Sequence, residues 1–374
     1  MKAVSTGSQY IIYDDNLRVF DQLPPQSYKV CCSRQQGFYL EKYIEPDARE
    51  DKIYGDHTAK VERVMNAFER SNRNFGVILS GAKGIGKTLF AKLLGIETIA
   101  KGMPLLVVDR YIPGIASYLE SIDQECMVLF DEFDKTFGGI KQADGDANPQ
   151  TEMLGLFDGV ANGKKLFVVT CNETRDISDF LINRPGRFHY HFRFDYPTAE
   201  EIITYLKDKL PVTQYPEIPN IVSFAGRIPL NYDCLRAIAF ELSSGCTFKE
   251  AASVLNIVNL KLERYNVTAI MKDGHKATCN GVNMDLFGDS IPCCACYAPG
   301  AGNVFDVQFN AVDCAYDPVR LVTIVNGADT DIVFQRYDEE DDSVIAREWK
   351  QSIASGIDHL EIRRCMERSI HYTV

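Results

Sequence analysis

Gly81-Ala82-Lys83-Gly84-Ile85-Gly86-Lys87-Thr88 follows a short apolar run, Val77-Ile78-Leu79-Ser80, and precedes Leu89, Leu93 and Ile96 at helical spacing. Strand, glycine-rich loop and helix in that order fit G-x-x-x-x-G-K-[ST] in the setting that gives the pattern meaning. Gly81, Gly84 and Gly86 can adopt backbone angles forbidden to other residues. The N–H groups of the loop, those of Ala82, Lys83 and Ile85 included, can therefore turn inward onto phosphate oxygens with a helix N-terminus behind them. Lys87 is expected to reach the β- and γ-phosphates of ATP, and Thr88 to ligate Mg²⁺. The stretch predicts an α/β fold with the loop at the carboxyl edge of its sheet.

Met127-Val128-Leu129-Phe130 is a continuous apolar run of the kind a buried parallel strand needs, and Asp131-Glu132 stands at its carboxyl end. Asp131 is expected to hold Mg²⁺ through water, and Glu132 to polarise the attacking water as general base. A third segment, Asn183-Arg184-Pro185-Gly186-Arg187-Phe188, carries two arginines. A guanidinium is permanently charged and can stabilise charge on a transferred phosphoryl group, an effect worth about 10³–10⁵ in rate when supplied in trans. A Pro-Gly turn flanked by solvated arginines has the same sequence.

These motifs resemble the AAA+ ATPases, and within them the classical AAA branch. Leu154-Gly155-Leu156-Phe157-Asp158-Gly159-Val160 is similar to that branch's helix before the fourth strand, and Leu166 to Asn172 to the strand ending in the sensor-1 residue. The resemblance implies that Asn172 bonds the attacking water or the γ-phosphate, and that Arg184, with Arg187 beside it, reaches the next subunit's site. It implies that Tyr54 and Gly55 lie near the adenine, where ordinary linker packing is the alternative. It further implies that Asp233-Cys234-Leu235-Arg236 opens a sensor-2 helix, with Arg236 on the γ-phosphate or simply solvated. The implied fold is a P-loop NTPase parallel sheet with helices on both faces and an all-helical lid. Small N-terminal β and C-terminal β-rich elements flank it. Self-association is implied, as a hexameric ring acting on an unidentified protein substrate or adaptor.

At 374 residues the chain exceeds one typical core. Its segments read as an N-terminal β element (1–52), a nucleotide-binding domain (53–197), a helical lid (198–263) and a C-terminal β-rich domain (264–374). Capping boxes, Thr198-Ala199-Glu200-Glu201 and Thr247-Phe248-Lys249-Glu250, open two lid helices. Ile202, Ile203, Leu206 and Leu210 line the first; Ala251, Val254, Leu255, Val258 and Leu262 line the second. Tyr190, Phe192, Phe194 and Tyr196 alternate with polar residues, as in a half-buried edge strand. Phe305–Phe309, Leu321–Val325 and Ile332–Phe334 read as strands, and Trp349 falls in a closing helix.

A net charge of −12 disfavours broad electrostatic attachment to nucleic acid, so a helicase or clamp loader is the rival reading, with a nucleotide-timed scaffold as a third. The absence of a long apolar run or a cationic leader predicts no membrane span and a cytoplasmic location. Twelve cysteines then read as reduced thiols. Cys279, Cys293 and Cys296 with His275 read either as a zinc set or as free thiols. Tyr111, in Arg110-Tyr111-Ile112-Pro113-Gly114, reads as a pore-loop aromatic or as part of a buried turn. Asp338–Asp342 reads as a solvated acidic loop or a docking patch.

Overall fold

The computed structural model describes residues 1–5, 7–8, 10–43, 54, 56–138, 149–158, 163–172, 177, 181, 186–257, 263–287, 290–317, 320, 322–337 and 343–365. Gly55, Gly159-Val160, Asn183-Arg184-Pro185, Val258, Leu262, Leu321 and the acidic run 338–342 lie outside the described residues. Two compact units, Met1–Phe194 and Asp195–Val374, divide the chain.

The first unit begins with a hairpin of β1 (Lys2–Ser5) and β2 (Tyr10–Tyr13). It continues through β3 (Ser27–Ser33), β4 (Gly37–Lys42), α1 (His57–Arg70), β5 (Phe75–Ser80), α2 (Lys87–Ala100), β6 (Leu105–Val108), α3 (Ile115–Glu120) and β7 (Cys126–Phe130). It closes with α4 (Phe133–Gly138), α5 (Pro149–Asp158), β8 (Lys165–Cys171) and β9 (Phe188–Arg193). The main sheet has seven strands in the order β4-β3-β6-β7-β8-β5-β9, parallel except at β3–β4. One helical layer packs α1 on α2; the other packs α3 and α4 on α5. The expected fold class is therefore present.

This order makes β7, β8 and β5 adjacent, with Ser80 opposite Cys171 and Phe130 opposite Val169. The loops leaving all three strands consequently meet at one carboxyl edge. The N-terminal region differs from the single β element expected of it. Val30 and Cys31 are buried because β3 pairs in parallel with β6 and so joins the nucleotide-type sheet, while β1 and β2 form a separate pair. Local alternation reveals strands, but not such long-range pairing. In α2 the helix forms as predicted, yet its buried face is Phe90, Ala91, Leu94 and Thr98, not Leu89, Leu93 and Ile96. A helix apolar on several sides does not announce which side is inward.

The second unit holds α6 (Ala199–Lys209), α7 (Ile218–Arg227), α8 (Tyr232–Ser243) and α9 (Phe248–Val254). Its strands are β10 (Glu263–Met271), β11 (Lys276–Met284), β12 (Cys293–Ala298), β13 (Gly302–Phe309), β14 (Ala315–Asp317), β15 (Val322–Asn326), β16 (Thr330–Gln335) and β17 (Ile357–Arg364). Helix α10 (Val344–Ser355) precedes β17. The eight strands form one sheet, β14-β15-β17-β10-β11-β12-β13-β16. Both capping boxes form: the Glu201 and Glu250 N–H groups donate to the hydroxyls of Thr198 and Thr247, and each glutamate accepts from its threonine N–H at 2.8 Å. Helix α9 stops at Val254, which is exposed, so of the expected stripe only Ala251 is buried within it, beside Phe248.

The helices and the sheet of this unit are tied together. The Arg227 guanidinium donates to the Cys314 carbonyl at 2.8 Å and to that of Leu286 at 3.4 Å, and Tyr265 donates its hydroxyl to the Arg227 carbonyl. Phe224 packs edge-on against both Phe248 and Phe287. Cys279, Cys294 and Cys296 are buried free thiols, and among the described residues no group of three or more His, Cys, Asp or Glu is arranged to hold a metal ion.

Candidate nucleotide-binding site

Gly81, Gly84 and Gly86 have φ of +137°, +73° and +100°, the left-handed angles expected of the phosphate loop. A Cβ on Gly81 would stand 2.1 Å from the Phe194 carbonyl oxygen. Any other residue there would collide with fixed backbone. Lys87, the first residue of α2, turns its ammonium back over the loop: it donates to the carbonyls of Gly81 and Ala82 at 2.5 and 2.6 Å, and to Asn172 Oδ1 at 3.2 Å. Burial pushes its pKa down, while the neighbouring Asp134, Asp131 and Glu132 carboxylates favour its charge. Thr88 is exposed beside it.

Across the edge, Thr170 at the end of β8 organises the acidic pair. Its hydroxyl donates to Asp131 Oδ1 at 2.7 Å and accepts from the Glu132 N–H at 2.8 Å. Among the described residues Glu132 is the one non-glycine with positive φ, +48°. This unusual backbone angle sits on the proposed base. Its carboxylate is paired with Lys135, which, with help from Lys83 and Asn172, holds it below the usual carboxylate range. Asp134, buried, accepts from the Asn172 N–H at 3.0 Å and so fixes the strand end that presents Asn172.

An ammonium, a strand-end carboxylate pair, an amide and a loop shaped by left-handed glycines therefore occupy one edge. The set fits a nucleoside triphosphate with Mg²⁺: three left-handed glycines shape the loop, and Lys87 spans it to Asn172. A family model described as "ATPase family associated with various cellular activities (AAA)" matches residues 77–196, from within β5 to just past β9. Residues 77–196 thus form an AAA domain, of the AAA+ ATPase superfamily and similar to its classical AAA branch.

The chain is 27% identical over 178 residues to Protein mac-1 of Caenorhabditis elegans, covering 40% of this chain and 21% of the relative. It is 27% identical over 216 residues to the ATP-dependent zinc metalloprotease FtsH of Hahella chejuensis, covering 50% and 35%. Against the 26S proteasome regulatory subunit 10B homolog A of Arabidopsis thaliana it is 26% identical over 147 residues, covering 35% and 37%. The similarity thus spans well under half the length of these relatives.

Within the AAA domain the two arginines part company. Arg184 lies outside the described residues, whereas Arg187 is buried and makes a two-pronged pair with Asp158 at the end of α5, in the same chain. Arg187 as seen is thus a link between helix and loop. Tyr54 is half-buried ahead of α1, and Gly55 lies outside the described residues. Arg236 is in the other unit, on α8, exposed and 3.6 Å from Asp233. Tyr111, half-buried, packs edge-on against Phe137 and donates to Glu152 at 2.8 Å, so its ring is engaged within the chain, while Pro113 and Gly114 of the same turn are exposed. Among the described residues no helix is long and apolar enough to cross a membrane.

Sequence reasoning missed Thr170, Asp134 and His57. Thr170 and Asp134 carry weak signals, a hydroxyl two residues before Asn172 and an acid two after Glu132. His57 carries none, because its place behind Gly86 arises from packing alone.

Proposed function

We propose that this chain hydrolyses ATP and that copies of it assemble, with Arg184 of one completing the site of the next, to remodel a protein or protein complex. The observation that carries the reading is the convergence of Lys87, the Thr170-bridged Asp131 and Glu132, and Asn172 on one sheet edge. In this reading the loop backbone and Lys87 bind the phosphates, and Thr88 and Asp131 hold Mg²⁺. The metal, when bound, neutralises phosphate charge. Glu132, released from Lys135, takes a proton from water that Asn172 orients. A neighbour's arginine would stabilise the developing charge.

The second unit would be the output. Because Arg227 and Phe224 bind the helical part to the sheet, any nucleotide-driven movement of the helices carries the sheet with it. The test is ATPase rate against protein concentration, with mass by light scattering, for the unmodified chain and Arg184→Ala. The reading expects activity that rises with assembly and is lost in the variant while assembly persists. Full activity in a monomer would overturn the shared site.

A further inference from the structure

His57, the first residue of α1, is 7% exposed and therefore more than nine-tenths buried. Its ring lies 5.4 Å from that of Phe194 and 6.2 Å from that of Phe90, both tilted against it. Its Nε2 stands 2.9 Å from where a Cβ on Gly86 would be, so the last glycine of the phosphate loop rests directly on the imidazole. Neither ring nitrogen makes a well-directed hydrogen bond among the described residues, although the backbones of Gly86 and Tyr54 are close enough to favour the charged ring. A neutral imidazole always carries one donor and one acceptor, and burying both unused is costly. Phenylalanine would fill the same slot between two aromatic rings without that cost. The polar ring suits a second state of the loop in which its nitrogens find partners.

The two ends of the loop are braced differently. At Gly81 the brace is rigid backbone, the Phe194 carbonyl, with the Phe194 N–H donating to Ser80 at 2.8 Å. At Gly86 it is a side chain that can form or release bonds. We propose that His57 is a positioning residue of the nucleotide site, whose imidazole links the Tyr54 backbone to the Gly86 end of the phosphate loop when the loop closes on a nucleoside triphosphate. The inference rests on the ATP-binding reading and adds to it a residue that touches the loop, not the nucleotide.

The charged groups acting on the ring, Lys60 and Asp56, flank it on its own helix; the other elements present it with the uncharged Phe90, Gly86 and Phe194. Burial, then Lys60, pushes its pKa below the ordinary imidazole value, so the ring is neutral at pH 7 and available as both donor and acceptor.

The test compares the full chain with His57→Phe, His57→Gln and Lys87→Ala. Calorimetric affinity for a non-hydrolysable ATP analogue with Mg²⁺ is measured beside the thermal midpoint of the nucleotide-free protein. Nitrogen-15 spectra of the histidine rings are recorded with and without the analogue. His57→Phe should weaken binding about five- to tenfold, the worth of one net hydrogen bond, with no fall in the nucleotide-free midpoint. His57→Gln should recover most of that affinity, and the analogue should shift the His57 ring resonances. Unchanged affinity in His57→Phe, or ring resonances indifferent to the analogue, would overturn the inference. If His57→Phe does not fold, the glutamine variant and the ring spectra decide. No binding by the unmodified chain, or binding untouched by Lys87→Ala, would instead overturn the ATP-site reading itself.

Discussion

In the first unit the residues nearest the chemistry occupy the least ordinary backbone. Gly81, Gly84, Gly86 and Glu132 all have positive φ, and they cluster where polar groups crowd the ends of three parallel strands. In the second unit the weight lies in apolar packing. Tyr265, Phe305, Val304, Leu360 and Trp349 fill one core between an antiparallel sheet and its helix, and its charged side chains lie mainly on the surface. The contrast teaches that a site can be built from strained, polar termini only when a close-packed sheet holds those termini in register.

Glu132→Gln would test the chemical half most severely. Hydrolysis should fall about 10²–10⁴-fold, as loss of a general base implies, while nucleotide binding persists; single-turnover rates beside calorimetric affinities would show it. Phe305→Ala strikes the packed half: a fully buried aromatic removed should cost about 3–5 kcal/mol, read as unfolding of the second unit in urea. If the halves are as distinct as they look, the first variant should leave the melting curve alone and the second should leave nucleotide affinity alone. Thr170→Val should sharpen the distinction within the first unit. Losing a hydrogen bond to a carboxylate costs about 1.5–3 kcal/mol, which should appear chiefly as weaker Mg²⁺-dependent nucleotide binding.

Thr247→Ala removes one capping box and should cost about 1 kcal/mol of second-unit stability without a kinetic effect. The smallest expected change is in pH dependence. The Lys135 hydrogen bond keeps the Glu132 pKa depressed, so the base stays ionised, and the contribution of that pair is present above the ordinary glutamate range and lost as pH falls through the depressed value. Lys135→Met should therefore move the acid limb of the rate profile to higher pH; an unmoved limb would detach Glu132 from that limb.

Much of the chemistry was legible locally. Gly81 to Thr88 stands out because a phosphate loop needs glycine angles and a lysine in one short motif, and Asp131-Glu132 because it ends an apolar strand run; Asn172 was suggested only by the family resemblance. The two capping boxes were equally readable, since Thr198 and Glu201, or Thr247 and Glu250, interact across three positions. The face of α2 was not, nor was the end of α9, because each depends on what the helix meets. The zinc and pore-loop alternatives illustrate the same limit. Cysteines spaced along two strands say nothing of whether their thiols converge, and Tyr111 is engaged by Glu152, far along the chain.

Residue order alone thus marked the helix caps and the candidate groups for phosphate and water, since those tasks use neighbours in the chain and backbone freedoms that particular residues own. Packing in three dimensions settled the rest: β7, β8 and β5 side by side, β3 beside β6, Thr170 bridging Asp131 and Glu132, Arg187 on Asp158, and His57 behind Gly86. Those partners are separated by roughly thirty residues or more except where Asp131 meets Glu132. Which distant segments touch is chosen by the burial of a common core, an energy shared among many side chains and written in no single stretch of them.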